Sequence, residues 1–373
     1  MSALPQSQMD PSNIEFHRQN PSVSLESHVR QKRVQLGAAV ASVQRIYLDL
    51  RFWILLRDVS LGRSVDKAPS DLLAFLKSEV SEGRAICPIS DTVFIELLKQ
   101  SDDSTRLATA QLIDELSLGV TLIPFDDRVR QELCNSFYNL AGATDLIPIQ
   151  ELVWTKLAYV LGEVHPTNTH FPPEEELIIQ KAFSDHLWKI SLSEIAVQFA
   201  DLPTGRDWDA IAANLNEGNH AHYSMLRSYP QAFRIEFEGG LSLFRNEINA
   251  LLKEMDQRGY KEFDSKLAHM SHNKRFEAFT LSIPTLYIYA SCHAAVRWDW
   301  KRKLDGNTLF AFHHAQAALA YCDVFLTEKP LSDMLGLHHL GLTKFKCQSF
   351  WSPSAALSWL RENGAANQSS AVN

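Results

Sequence analysis

The hydrophobic pattern of this chain switches period along its length. Between Arg45 and about Leu140, short apolar runs at 46–48, 85–87 and 120–124 alternate with stretches in which apolar residues recur at helical spacing, at 52–57, 70–82, 91–100, 104–118 and 126–139. The runs predict strands and the stretches predict helices. Their alternation predicts a parallel, doubly wound sheet sandwiched by helices, a Rossmann-like α/β fold. From about Ala141 to Ser282 helical periodicity stands alone, at 150–161, 174–200, 208–226, 233–255 and 260–279. Its breaks carry turn chemistry, as at His165-Pro166, Pro172-Pro173 and Gly239-Gly240. A segment of that length is too long for a loop and predicts a large all-helical insertion. Alternation then returns: a helix over 282–300, a helix capped by Asn307, a buried strand over Val324–Thr327, a short helix over 331–337, an edge strand over 345–351 and a closing helix over 354–361. The chain thus divides into an unstructured, polar 1–22, a first part of the α/β domain over 23–140, the insertion over 141–281, a second part over 282–363 and a polar, unstructured tail over 364–373. A helix over 24–42 opens the first part, and its basic residues Arg30, Lys32 and Arg33 read as a solvated face.

Composition adds limits. The 373 residues are 45% hydrophobic and 21% charged, enough for a substantial core in one large domain with an insertion or in two domains. No run reaches membrane-spanning length and no signal peptide opens the chain, so a cytoplasmic protein without a membrane partner is expected. The five cysteines lie far apart and read as buried, reduced thiols, and none of the 14 histidines sits beside a carboxylate at a metal-ligand spacing. The net charge of −8 is unlike that of an ordinary nucleic-acid binder. One local segment, 297–303, interleaves aromatic and basic residues, which makes Arg297 and Lys301 candidates for phosphate contacts. The plainer reading is an amphipathic helix end with a buried tryptophan. No Walker A or GxGxxG phosphate loop is present.

The chemistry-bearing positions are acids at strand ends. Asp49 follows the run Ile46–Leu48, Glu328 follows Val324–Thr327, and Glu96 lies on the helix that follows Ala85–Cys87, a helix capped by Ser90 or Asp91. In a parallel sheet, ligands sit at the C-terminal strand ends. Carboxylates that converge there repel one another unless a divalent cation lies between them, and an oxygen-only set suits Mg²⁺ or Mn²⁺. Asp323 stands before its strand rather than after it.

These residues resemble the PIN-like (PilT N-terminus-like) nucleases. The resemblance rests on Tyr47, Leu48 and Asp49 with Trp53, on Ile89 and Ser90 through Glu96, and on the block from Tyr321, Cys322 and Asp323 through Thr327, Glu328 and Leu331. It implies metal-dependent phosphodiester hydrolysis, most often of RNA, by an endoribonuclease of the toxin or defence-effector kind. It also implies metal ligands at Asp49, Glu96 and Glu328, a fourth acid at Asp323, and Arg51 as a phosphate contact or as an ion-pair partner of Asp49. His314 is either a leaving-group contact or a core histidine. The family has an acid where this chain has Ala311. Two readings of Ala311 stay open: an inactivating substitution in a nuclease, or a degenerate PIN-like binding or scaffold protein acting through its insertion. A regulatory protein partner and an oligomer are both compatible with the sequence.

Overall fold

The computed structural model describes residues 11–198, 207–260, 273–299 and 301–370. Strands β1 (Gln44–Leu48), β2 (Ala85–Ile86), β5 (Val324–Leu326) and β6 (Gln348–Phe350) form one parallel sheet in the order β2-β1-β5-β6. The register pairs Ile46 with Val324, Tyr47 with Phe325 and Leu48 with Leu326. All six of these residues are fully buried. Successive strand residues point to opposite faces, so helices must cover both sides. The protein is a mostly helical α/β fold around a small parallel sheet. As expected from its half-polar pattern, β6 is an edge strand.

The helices before the insertion match the periodic stretches closely: α2 (Leu25–Ala41), α3 (Leu50–Ser60), α4 (Lys67–Ser81), α5 (Asp91–Leu98), α6 (Asp103–Ser117) and α7 (Phe125–Leu140). Side-chain caps explain several starts. Ser24 accepts from Ser27 N, Asp49 from Phe52 N, Asp66 from Ala68 N and Asp102 from Thr105 N. After the insertion come α15 (Pro284–Trp298), α16 (Gly306–Tyr321), α17 (Lys329–Leu335) and α18 (Pro353–Ser370). The cap of α16 is Asp305, not Asn307, because Asp305 is the residue whose carboxylate takes the amide of Thr308, at 2.7 Å.

Other differences have physical causes. β3 (Val120–Leu122) does not join the parallel sheet as a full strand. It pairs antiparallel with β4 (Trp154–Lys156) and touches the β2 connection only through a bridge to Ile89. The insertion is therefore not all helical. The expected helix over 150–161 is cut to α8 (Ile149–Leu152), since Trp154 and Thr155 are spent on the pairing with β3. The remaining insertion helices are α9 (Pro173–Leu187), α10 (Leu192–Gln198), α11 (Trp208–His222), α12 (Tyr229–Ser242), α13 (Arg245–Gln257) and α14 (Asn273–Leu281). Part of the expected helix over 260–279 and the sequence break at 202–205 lie outside the described residues. A helix, α1 (Pro11–Gln19), forms in the N-terminal stretch expected to be unstructured, and α18 runs through Ser370 rather than ending at 361. Among the described residues no helix is long and apolar enough to cross a membrane.

Two hydrophobic clusters hold the molecule. The larger surrounds the sheet and includes Phe52, Trp53, Leu72, Phe94, Phe312 and Leu357. The smaller joins the insertion to the α/β body, with Phe137 of α7, Phe237 of α12, Met255 of α13, Phe279 of α14 and Leu286 of α15. At Gly37, α2 lies directly on the backbone of α8, and a Cβ there would run into Glu151. Gly37→Ala is expected to destabilise the protein by about 1–3 kcal/mol. A urea denaturation midpoint that does not fall would refute that contact.

Candidate active site at the sheet edge

The site is built where β1, β5 and the β2–α5 connection end side by side. Asp49 leaves β1 and turns at once into α3, so its carboxylate is both a helix cap and a group on the sheet edge. It is 5% exposed, with Oδ1 taking the Phe52 amide at 3.1 Å and the Thr327 hydroxyl adding a second hydrogen bond. Burial raises the Asp49 pKa, the neighbouring charge of Glu328 adds to the rise, and His314, the Phe52 amide and Thr327 oppose it. Glu328 itself is exposed and stands at the N-cap position of α17 without capping it.

His314 is the centre of the arrangement. It projects from the middle of α16 and is 4% exposed. Its Nδ1 is hydrogen-bonded to the Tyr47 hydroxyl at 2.9 Å, and its Nε2 donates to Glu96 Oε2 at 2.6 Å. Burial opposes a charged imidazole here, yet Glu96, Asp49 and Asp91 together outweigh it and raise the His314 pKa above its ordinary value. Tyr47 continues the chain to Ser90 Oγ at 2.7 Å. Ser90 occupies the N-cap position of α5 but makes no capping bond, because its hydroxyl faces Tyr47 instead. Asp91 accepts the Phe125 amide at the start of α7, and one of its oxygens lies 3.8 Å from Nη1 of the fully buried Arg128.

The expected site residues thus separate into groups. Asp49, Glu96, His314 and Glu328 share the sheet edge. Ala311 lies one turn before His314 on α16, half-buried against the larger hydrophobic cluster. Asp323 is at the other end of β5, where Arg45 holds it through Nε at 3.0 Å and Nη2 at 2.7 Å, so it belongs to the sheet's N-terminal edge. Arg51 is exposed, and among the described residues no ion pair joins it to Asp49. Arg297 is taken by Glu236, Lys301 is exposed, and of the two tryptophans either of which was expected to be buried, Trp298 is 36% exposed and Trp300 lies outside the described residues. Trp53 is wholly buried. The acids do not form a preassembled chelate: among the described residues, the only His/Cys/Asp/Glu group with all ligand atoms within 4.8 Å of one another is His17, His28 and Asp185, on other helices.

Sequence reasoning missed Asp91 as a neighbour of His314, and it missed the buried group behind it. Glu132 of α7 is wholly buried. It accepts the Thr285 amide through both oxygens at 3.1 Å, the Thr285 hydroxyl at 2.5 Å, and the Tyr321 hydroxyl. Thr285 is in the first turn of α15, whose N-cap residue Ile283 has no side-chain acceptor. Glu132 therefore supplies the missing cap from another helix. A buried glutamate followed by no periodic partner leaves no mark in the local sequence.

Comparisons with protein-family models, with curated proteins and with solved structures give no match.

Burial pushes the Glu132 pKa up to about 7, against the hydrogen bonds that lower it. The folded protein then binds a proton that the unfolded chain releases at about pH 4.5, so stability is lost as pH rises from about 4.5 through about 7. This contribution is on the order of 3 kcal/mol. Glu132→Gln should remove it: between about pH 5 and pH 8 the variant's urea stability should gain on the wild type by a few kcal/mol. Parallel pH profiles would exclude the shift.

Proposed function

We propose that the protein is a metal-dependent nuclease of the PIN-like kind, an endoribonuclease acting as a toxin or defence-type effector. One observation carries the reading: Asp49, the α5 pair Asp91 and Glu96, and Glu328, from three separate parts of the sequence, gather at the C-terminal edge of a parallel sheet, with Asp49, Asp91 and Glu96 around a single buried imidazole and Glu328 beside Asp49. Glu96, Asp49 and Asp91 act on His314, and Asp91 also lies 3.8 Å from Arg128. Negative charge held at an edge where ligands bind is what a hard dication requires.

The donors suit Mg²⁺ or Mn²⁺ in kind, being carboxylate oxygens. In geometry they fit only after rearrangement, since Glu96 is held by His314 and the oxygens are not within chelating reach of one another. Asp49 and Glu328 would hold the ion, with Glu96 joining once it releases His314. The cation would supply Lewis acidity toward a phosphodiester oxygen. The chain's own residues would do the rest. The Phe52 amide and Thr327 fix the Asp49 carboxylate. Tyr47 anchors His314 at Nδ1, leaving Nε2 to give a proton to the departing oxygen. Arg51, exposed in the first turn of α3, would meet a phosphate, and Trp208 of α11, whose ring centroid lies 4.9 Å from that of Phe310, joins the insertion to α16.

The second reading, a binding or scaffold protein that has lost its activity, is favoured by Ala311, which offers no ligand, and by the occupied Glu96. The variant Ala311→Asp separates them. With Mn²⁺ or Mg²⁺ and a panel of RNA and DNA, cleavage should rise about a hundredfold or more over the unmodified chain, and Asp49→Asn in the same background should abolish the gain. An Ala311→Asp protein that is folded and inert on the whole panel would leave the scaffold reading standing.

A further inference from the structure

The nuclease reading makes no use of a side-chain cluster at the opposite end of the sequence. α1 carries His17, α2 carries His28 and Lys32, and α9 carries Asp185. His17 Nε2 donates to Asp185 Oδ2 at 2.7 Å, His28 Nε2 donates to Oδ1 at 2.9 Å, and Lys32 Nζ donates to the same Oδ1 at 2.5 Å. The two imidazoles meet edge to face with centroids 4.8 Å apart. His17 is buried, whereas His28 and Asp185 keep 15% and 16% of their side-chain surface, which leaves a route from solvent. The frame around them is fixed. Lys181 of α9, wholly buried, donates to the carbonyls of Asn20 and Val23 at 3.0 and 3.1 Å and so pins the turn between α1 and α2.

We propose that His17, His28 and Asp185 form a binding site for a borderline divalent transition metal, zinc foremost, which staples α1 and α2 to α9. Two imidazole nitrogens with one carboxylate oxygen are a zinc donor set with a fourth position left for water. Tetrahedral zinc with bonds of about 2.0–2.1 Å places its ligand atoms about 3.3 Å apart. Here His17 Nε2 lies 2.7 Å from Oδ2 and His28 Nε2 2.9 Å from Oδ1 of Asp185, and one ligand atom from each residue falls within 4.8 Å of the others, so shifts of an ångström or so admit the ion. For each ring to offer its Nε2 lone pair, a neutral ring moves its proton from Nε2 to Nδ1 by exchange with water, and a charged ring releases its Nε2 proton to water. Lys32 must give up Asp185, and it has somewhere to go, since its ammonium already lies 4.9 Å from the centre of the Trp188 ring. The nitrogen donors separate this site in metal preference from the oxygen-only sheet edge, so it does not depend on the nuclease reading.

The test is titration of the full chain with Co²⁺, read by visible ligand-field absorption, and with Zn²⁺, read by calorimetry. The expected result is one saturable site with tetrahedral Co²⁺ bands that Zn²⁺ bleaches and Mg²⁺ does not. His28→Gln and Asp185→Asn should weaken Zn²⁺ by more than about tenfold. Lys32→Met should tighten it by roughly tenfold through loss of the competing cation, and His338→Gln, at an exposed position elsewhere, should leave it unchanged. Absence of tetrahedral Co²⁺ bands, or Zn²⁺ isotherms that coincide for the wild type and His28→Gln, would overturn the proposal. The spectrum of the unmodified chain decides even if a variant fails to fold.

Discussion

A carboxylate taken out of water must find a positive charge or a set of hydrogen-bond donors, and much of this structure follows from how that need is met. At the sheet edge it is met by His314, held between Tyr47 and Glu96 with Asp49 and Asp91 in electrostatic reach. At the far end of the same sheet it is met by Arg45, whose guanidinium grips Asp323 while its backbone amide donates to the same carboxylate. Between the helices it is met by the amide and hydroxyl of Thr285 on Glu132. The apolar clusters supply the driving force, and these polar contacts decide which helix lies against which.

The same principle explains why opposite ends of β5 differ in character. Asp323 is satisfied within the protein and faces a partner one strand away. Glu328, five residues further on and past the strand, is exposed and caps nothing. An acid that stabilises no part of its own fold is free to act on something outside it. The contrast supports the choice of the sheet's C-terminal edge for the proposed chemistry.

Much of the fold was legible because it rests on local period. Ile46–Leu48 and Val324–Leu326 read as strands since both faces are covered and every residue is apolar or aromatic. The α3–α7 series read as helices because their apolar residues repeat at helical spacing. What could not be read is pairing over long separations. Nothing near Val120 says that Trp154 will be its antiparallel neighbour's end rather than part of a helix. α1 is mostly polar, with Phe16 exposed, and His17 joins it to Asp185, 168 residues away. Lys32 and Arg33, expected on a solvated face, instead reach Asp185 and the Leu152 carbonyl. Of the candidate site, the strand-end acids were legible, whereas the Tyr47–His314–Glu96 relay was not, since its members come from β1, α16 and α5.

The Glu132–Thr285 contact, with the Ser136 and Ser282 hydroxyls 2.6 Å apart beside it, clamps the segment that enters the helical insertion to the segment that leaves it. The insertion is thereby closed at its base, and closing a longer loop on a fixed base adds little entropic cost. The helices of the insertion can therefore be lengthened or trimmed beyond that base while the sheet edge keeps its geometry, so that one end of the molecule tolerates change without disturbing the other.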